Sequence, residues 1–444
     1  LRAKPYFFDA RILVRQVCES NVDLDIVVRE VWTLTPTLSW SRSGGESDSS
    51  IGFTDTNWRG SGRTVGLLLE REPTYTGVEL FIKDSPAPDT WVRQLSIGIA
   101  DEREQLRASL AKPFYALETE SAKGISVARS EGEQSLYLLG DEVLTYDIEH
   151  REAQVFGGIK LATRDTRVIR GVAGWRYVDK DLRPVFDPAA AAADIHRRFS
   201  YPFGAIEWVD DQFVKATDLS RIGLVEDVNL GWQGRVELGL SNSAWGASGE
   251  YIHAQASIQR QWLRADVDLI NANLSISGRF NADTGTAENV QTELDFSYLR
   301  KWSRRWRTFV GSQFTHGRNL DPENTLQLGG RTGMRAFPSN YQAGSKRYVV
   351  ALEQRLHTRL QPFDLFRLAY VAFADVGRAW YDTPPSAFAG VYENDVIADA
   401  GLGIRLESIR TGNKRVLHLD VATPLKSAEQ TSSYEVTFTV KQSL

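Results

Sequence analysis

Sulfur is nearly absent: among 444 residues there is one cysteine, Cys18, and one methionine, Met334. A lone cysteine excludes an intrachain disulfide framework and fits either redox compartment. Long apolar runs are missing too, since no stretch approaches the ~18 apolar residues of a membrane-spanning helix, and a helical membrane protein is excluded. Basic charge is not in excess. The net charge is -5 and the pI about 5.8, so no field gathers nucleic acid, and none is expected as a partner. The six histidines, His150, His196, His253, His316, His357 and His418, have no metal-ligand spacing. There is no G-x-S-x-G elbow, no phosphate-binding G-x-x-x-x-G-K-[ST] loop and no CxxC. Acidic pairs such as Asp210 and Asp211 arise by chance among 57 acidic residues. The chain therefore reads as non-enzymatic, with no catalytic residue, cofactor or metal. It opens LRAKPYFFDA, without the basic segment, apolar core and cleavage site of a signal peptide. An exported protein here would be a mature or trimmed form.

Aromatics are plentiful, with 12 Trp, 15 Tyr and 20 Phe, which suits β structure and membrane-interface girdles. From about residue 36 the chain runs in segments of roughly ten residues in period two, each closed by Gly, Asn, Asp, Ser or Pro. Ile252, Ala254, Ala256 and Ile258 alternate with His253, Gln255, Ser257 and Gln259. The same alternation runs from Ile270 to Phe280 and from Tyr434 to Lys441. One face is apolar but often only Ala or Gly, and the other is wet. A soluble sandwich would fill its inner face with bulky residues. A transmembrane barrel explains the pattern better, because lipid accepts any apolar side chain while the lumen is wet. KWSRRWR (301–307) fits a strand end at the membrane interface.

Short connections at 57–63, 262–266, 301–305 and 411–415 alternate with longer ones at 177–202, 317–345 and 378–394. This parity puts both barrel ends on the periplasmic side. The segment count from 36 to 444 gives about twenty strands. DPAAAAADIHRRF (187–199) reads as a short helix or loop insertion. The first 35 residues differ: DARILVRQ (9–16) and VDLDIVVREVW (22–32) read as two strands joined by a polar turn, after LRAKPYFF, which reads as a helix end. Two strands and a helix stub bury little core, so residues 1–35 look like part of a small α+β domain.

One connection stands out, LGGRTGMRAFPSN, residues 328–340. With Gly329, Gly330, Gly333, Arg335 and Phe337 it resembles the V-R-G-[FY] loop tip of the BamA/TamA superfamily of outer-membrane barrels, the bacterial surface antigen family. Met334 stands for the valine and Ala336 for the glycine. Phe373-Ala374-Asp375-Val376-Gly377 is similar to the family's F-x-D-x-G strand, and Glu353 lies on the strand after the loop. A weaker echo is GFTDTNWRGSGR (52–63).

The resemblance implies a barrel of sixteen strands at 36–444, preceded by the C-terminal part of a POTRA-like periplasmic domain at 1–35. It also implies a loop folded into the lumen, where Arg335 engages Glu353 and Asp375 near Gly377. Independently, a guanidinium offers carboxylates five donors in a fixed fork. The implied location is the outer membrane of a Gram-negative cell, with the N-terminal part in the periplasm. Partners would be outer-membrane lipids, client or secreted polypeptides, and periplasmic chaperones or accessory proteins. The chain ends VKQSL, without the family's usual terminal aromatic.

Closure requires the first strand, with Thr37, Ser39 and Ser41, to pair with the last, with Tyr434, Val436, Phe438 and Val440. The first is short, serine-rich and followed by GGESDSS. A weak ladder there would open laterally and template a client strand. The function that the resemblance implies is insertion, assembly or translocation of other polypeptides. Two alternatives remain: a two-partner-secretion pore for a dedicated substrate, and the membrane anchor of an enzyme fused upstream.

Overall fold

The computed structural model describes residues 4, 6–18, 21–187, 192–217, 225–265, 267–384, 395–408, 416–426 and 430–441. The expected turn at 411–415 and the chain's last three residues lie outside them. So do 188–191 and 385–394, which belong to two of the expected long connections.

Twenty antiparallel strands close into one barrel, from Leu34–Ser43 to Glu435–Lys441. The count from periodicity agrees with this, and the sixteen implied by the resemblance is corrected to twenty. Alternation is what closes the sheet. Ile252 and Ala254 face outward, while His253 between them stacks on Tyr201 in the lumen with ring centroids 4.1 Å apart. Leu67, Leu69, Ile125, Ile159, Leu238 and Leu402 are likewise exposed, making an apolar outer face that needs lipid to cover it. Trp302 and Trp306 flank an exposed turn at one end of the barrel, next to arginines.

Parity holds: Leu34 and Lys441 lie at the same end, with the turns at 56–62, 265–267 and 302–305. The loop 319–345 is at the other end. Lengths do not alternate as expected. Connections at 44–45, 72–75, 101–102 and 139–140 are tight although they lie at the loop end. At the terminus end, 211–232 is long and carries its own hairpin, Phe213–Thr217 paired with Val225–Asn229.

That hairpin turns inward. Ala216 and Val228 are buried, and with Val214 and Leu230 they pack on Leu263, Leu269, Leu299 and Phe309 of the inner wall. The region 177–202 is also corrected. Strand runs to Phe186 and resumes at Ile195, so His196 to Phe199 are extended and the connection is only 187–194. Residues 195–199 pair with 178–182 and continue that ladder, so they are strand; 188–191 lie outside the described residues.

Before the barrel, Phe7–Val17 and Val22–Glu30 form a separate two-stranded hairpin, as the alternation suggested. The helix end expected in LRAKPYFF falls largely on residues 1–3 and 5, which lie outside the described residues; Tyr6 is in a turn and strand begins at Phe7. Ile12, Val14, Leu24 and Ile26 share one exposed face of this hairpin.

Candidate functional site

The glycines of LGGRTGMRAFPSN allow its path. Gly333 has φ 114°, a left-handed conformation that side chains disfavour. A Cβ on Gly330 would lie 2.5 Å from the Gly44 backbone, so this glycine lets the loop touch the turn after the first barrel strand. Past them, Met334, Ala336, Phe337 and Tyr341 are buried with Leu328, Val349, Val371 and Phe373. Met334 fills the space above Gly377, where a Cβ would sit 3.0 Å from its Sδ. The loop's apolar side thus seats it inside the barrel.

Its polar side is Arg335. The guanidinium donates to Glu353 Oε1 at 2.6 Å, and its Nε lies 3.0 Å from Asp375 Oδ2. It also reaches a carboxylate that sequence reasoning missed, Asp420, at 3.2 Å. The ring of Phe373 lies beneath it, 3.8 Å from the guanidinium carbon. Next along the loop, the Ala336 N–H donates to Asp399 Oδ2 at 3.1 Å.

Two more arginines complete the cluster. Arg355 pairs with Glu353 at 2.8 Å, and the fully buried Arg405 binds both Asp420 and Glu353. Three guanidiniums therefore meet four carboxylates across four consecutive strands. Such a cluster gains Coulomb energy in a shielded site but bears the desolvation of every member, so its main product is position. The missed residues had a signal. Asp399 and Arg405 share the inward face of one strand, and Asp420 faces inward from the next, all in period two.

The seam sits beside the same loop. Among the described residues one pair, Phe438 with Arg42, joins the first and last barrel strands, whereas every residue from Leu34 to Ser43 has a partner on the second strand. Thr37, Ser39 and Ser41 spend their hydroxyls on that second strand, bonding Thr54, Ser50 and Asp48. Val436 and Val440 lie on the last strand, while Tyr434 precedes it and is exposed. Across the seam the ring of Trp40 lies 5.1 Å from that of Phe438, Arg42 pairs with Glu435 at 3.9 Å, and the Gly45 N–H donates to Glu435 Oε1 at 3.2 Å.

The loop supplies what the ladder lacks. The Ser339 N–H donates to Gly44 O at 2.9 Å and its hydroxyl to Ser43 O at 3.1 Å. Arg331 pairs with Asp48, and with Glu46 at 3.3 Å.

No protein-family model and no curated protein matches the chain. Solved structures are similar to it in shape. CdiB from Escherichia coli superposes with a TM-score of 0.51 at 10% identity, over 99% of this chain and 68% of that one. CdiB from Acinetobacter baumannii gives 0.49 at 11%, over 99% and 66%. BamA from Haemophilus ducreyi lacking POTRA domains 1–3 gives 0.46 at 12%, over 98% and 75%. At such identities the likeness to Escherichia coli CdiB speaks for the barrel fold alone.

Proposed function

We propose that this chain is an outer-membrane barrel that inserts or translocates other polypeptides in the manner of the BamA/TamA superfamily. The seam is its client contact, and the in-folded loop is the stay that holds the lumen and the first strand. The single-pair seam carries this reading, because an incompletely paired edge is a template for an incoming strand. Support comes from the loop tip with its acidic partners, and from the apolar outer face. In this reading Asp399, Asp420, Arg355 and Arg405 join Arg335, Glu353 and Asp375 as the loop's receptor. The chain acts without chemistry of its own, so its partners are lipid, client polypeptides and periplasmic accessory proteins. The terminus end then faces the periplasm. The hairpin over Phe7–Glu30, with one apolar face uncovered, fits the sheet of a partial POTRA-like domain.

The test locks the seam. In a Cys18→Ser background, Arg42→Cys and Phe438→Cys place thiols on paired residues. Oxidation should stop insertion of a barrel client into proteoliposomes, and reduction should restore it. Unchanged insertion by the locked protein rejects lateral opening.

One observation favours a second reading, a secretion pore. The lumen is entered from both ends, by the loop and by the hairpin strands Phe213–Thr217 and Val225–Asn229, each packed on the inner wall, and in this reading displacing them opens the passage. A locked seam that still exports substrate would favour it.

A further inference from the structure

The barrel wall is uneven in height. The four strands from Arg63 to Lys112 have nine or ten residues each, whereas Ser121–Leu138 and Asp141–Arg164 have 18 and 24. The ladder between Arg103–Lys112 and its tall neighbour ends at Arg103 and Gly132. From Glu133 to Leu138 the tall strand is paired with Asp147 to Asp141 on one side. Among the described residues no ladder covers its other edge.

Exposed edges are usually blunted with lysine or proline. Here the sequence is EQSLYL, with neither.

Beside this edge is a cavity of about 690 Å³, above the tight turns at 72–75 and 101–102. Glu72, Glu102, Glu131, Glu133 and Glu142 line it. The cations there are engaged: Lys180 pairs with Glu323 at 3.1 Å, and Arg103 lies over the Tyr75 ring. The notch therefore presents negative charge next to a strand edge that no ladder covers among the described residues.

We propose that this notch at the loop end docks a cationic, extended polypeptide segment, which adds as a strand to Glu133–Leu138 and turns its basic side chains toward the glutamates. The free edge spans about 20 Å at ~3.3 Å per residue, enough for a six-residue strand. Alternation sends every second side chain of such a strand to one face, so a segment basic at alternate positions matches the charge. Main-chain pairing supplies the grip and the carboxylates the selection. The site uses none of the seam pair or the Arg335 ion pairs, though its upper end, Leu138, packs in the loop's buried core, and it stands whether or not the transport reading does.

The probe is a labelled ten-residue peptide of alternating lysine and threonine, titrated against the full chain in detergent at low ionic strength. Expected is saturable binding, weakened by salt and absent for the glutamate–threonine counterpart. Glu72, Glu102 and Glu133 form no ion pair among the described residues, so Glu72→Gln, Glu102→Gln and Glu133→Gln together leave the fold's own pairings intact. This triple variant should bind at least about tenfold more weakly. A peptide N-methylated at alternate residues keeps its charge but lacks the ladder donors, and should lose a similar factor. Absence of binding, or a triple variant that binds as the parent does, overturns the proposal. Equal binding of the N-methylated peptide overturns strand addition.

Discussion

Two segments enter the lumen from opposite ends and are held by opposite chemistries. The loop of 319–345 is pinned by a guanidinium among three carboxylates, each within 3.2 Å. The hairpin of 213–229 is held by an apolar contact with Leu263, Leu269, Leu299 and Phe309. Directional ion pairs fix one register and fail sharply when a member is lost. Apolar packing is non-directional and weakens in proportion to the area removed. The loop is thus built to hold one position, and the hairpin to rest against a wall. They are not isolated from each other. Arg355, which pairs with Glu353, lies 4.4 Å from the ring centre of Phe309 in the hairpin's contact.

The largest effect should come from removing the loop's cation. Arg335→Ala leaves Glu353, Asp375 and Asp420 without the guanidinium that they share. Removing one partner from a buried ion pair costs about 3–5 kcal/mol. The loop should leave the lumen, exposing Arg331 to trypsin and raising conductance in planar bilayers, while cleavage at Lys215 in the hairpin stays unchanged. Arg335→Lys keeps the charge without the fork and should fall between the two. A variant cleaved no faster than the parent at Arg331 would show that the apolar side of the loop suffices. In a double-mutant cycle, Arg335 and Glu353 should be coupled, and zero coupling would remove the clamp.

A smaller effect should follow from trimming the hairpin's seat. Leu299→Ala removes buried apolar surface at a cost of about 2 kcal/mol, the low end for such changes because a lumen wall has room to relax. Trypsin should then reach Lys215 sooner, with the loop still protected. If Leu299→Ala freed the loop as readily as the hairpin, the contrast between the two would collapse into a single coupled plug. Phe309 and Arg355 would be its joint.

The two segments also differ in how far the sequence disclosed them. Gly329, Gly330, Gly333 and Arg335 form a local signature, and period two put Glu353 and Asp375 on inward faces, so half of the clamp was readable. Asp420, Asp399 and Arg405 were equally inward by alternation. Their role depends on which strands stand together around the lumen, and a single strand's pattern does not carry that. The hairpin of 213–229 had no comparable mark: FVKAT and VEDVN alternate like any barrel strand. Only closure shows that they sit outside the wall, because the strand at 195–210 pairs with the one at 233–241 and leaves them over the mouth. Strand number was legible for the converse reason, since lipid and water on opposite faces force period two on every strand. Strand height was not, because alternation continues unchanged above the membrane.

The smallest effect tests the loop's rim. Arg331 pairs with Asp48 and Glu46 on the turn after the first barrel strand, and it is one-third exposed, with side-chain accessibility 34%. Exposed pairs contribute about 0–1 kcal/mol, less in high salt. Arg331→Ala should therefore leave unfolding and the Arg335 cluster nearly unchanged. Its signature should be local: faster amide exchange at Gly44 to Asp48, seen at low ionic strength and erased near 1 M salt. The Ser339 bonds to Ser43 and Gly44 would still hold the strand end, so seam crosslinking between positions 42 and 438 should proceed as before. If Arg331→Ala instead lowered that crosslinking, the rim pair would be the latch of the seam, and the Arg335 cluster an anchor for the loop alone.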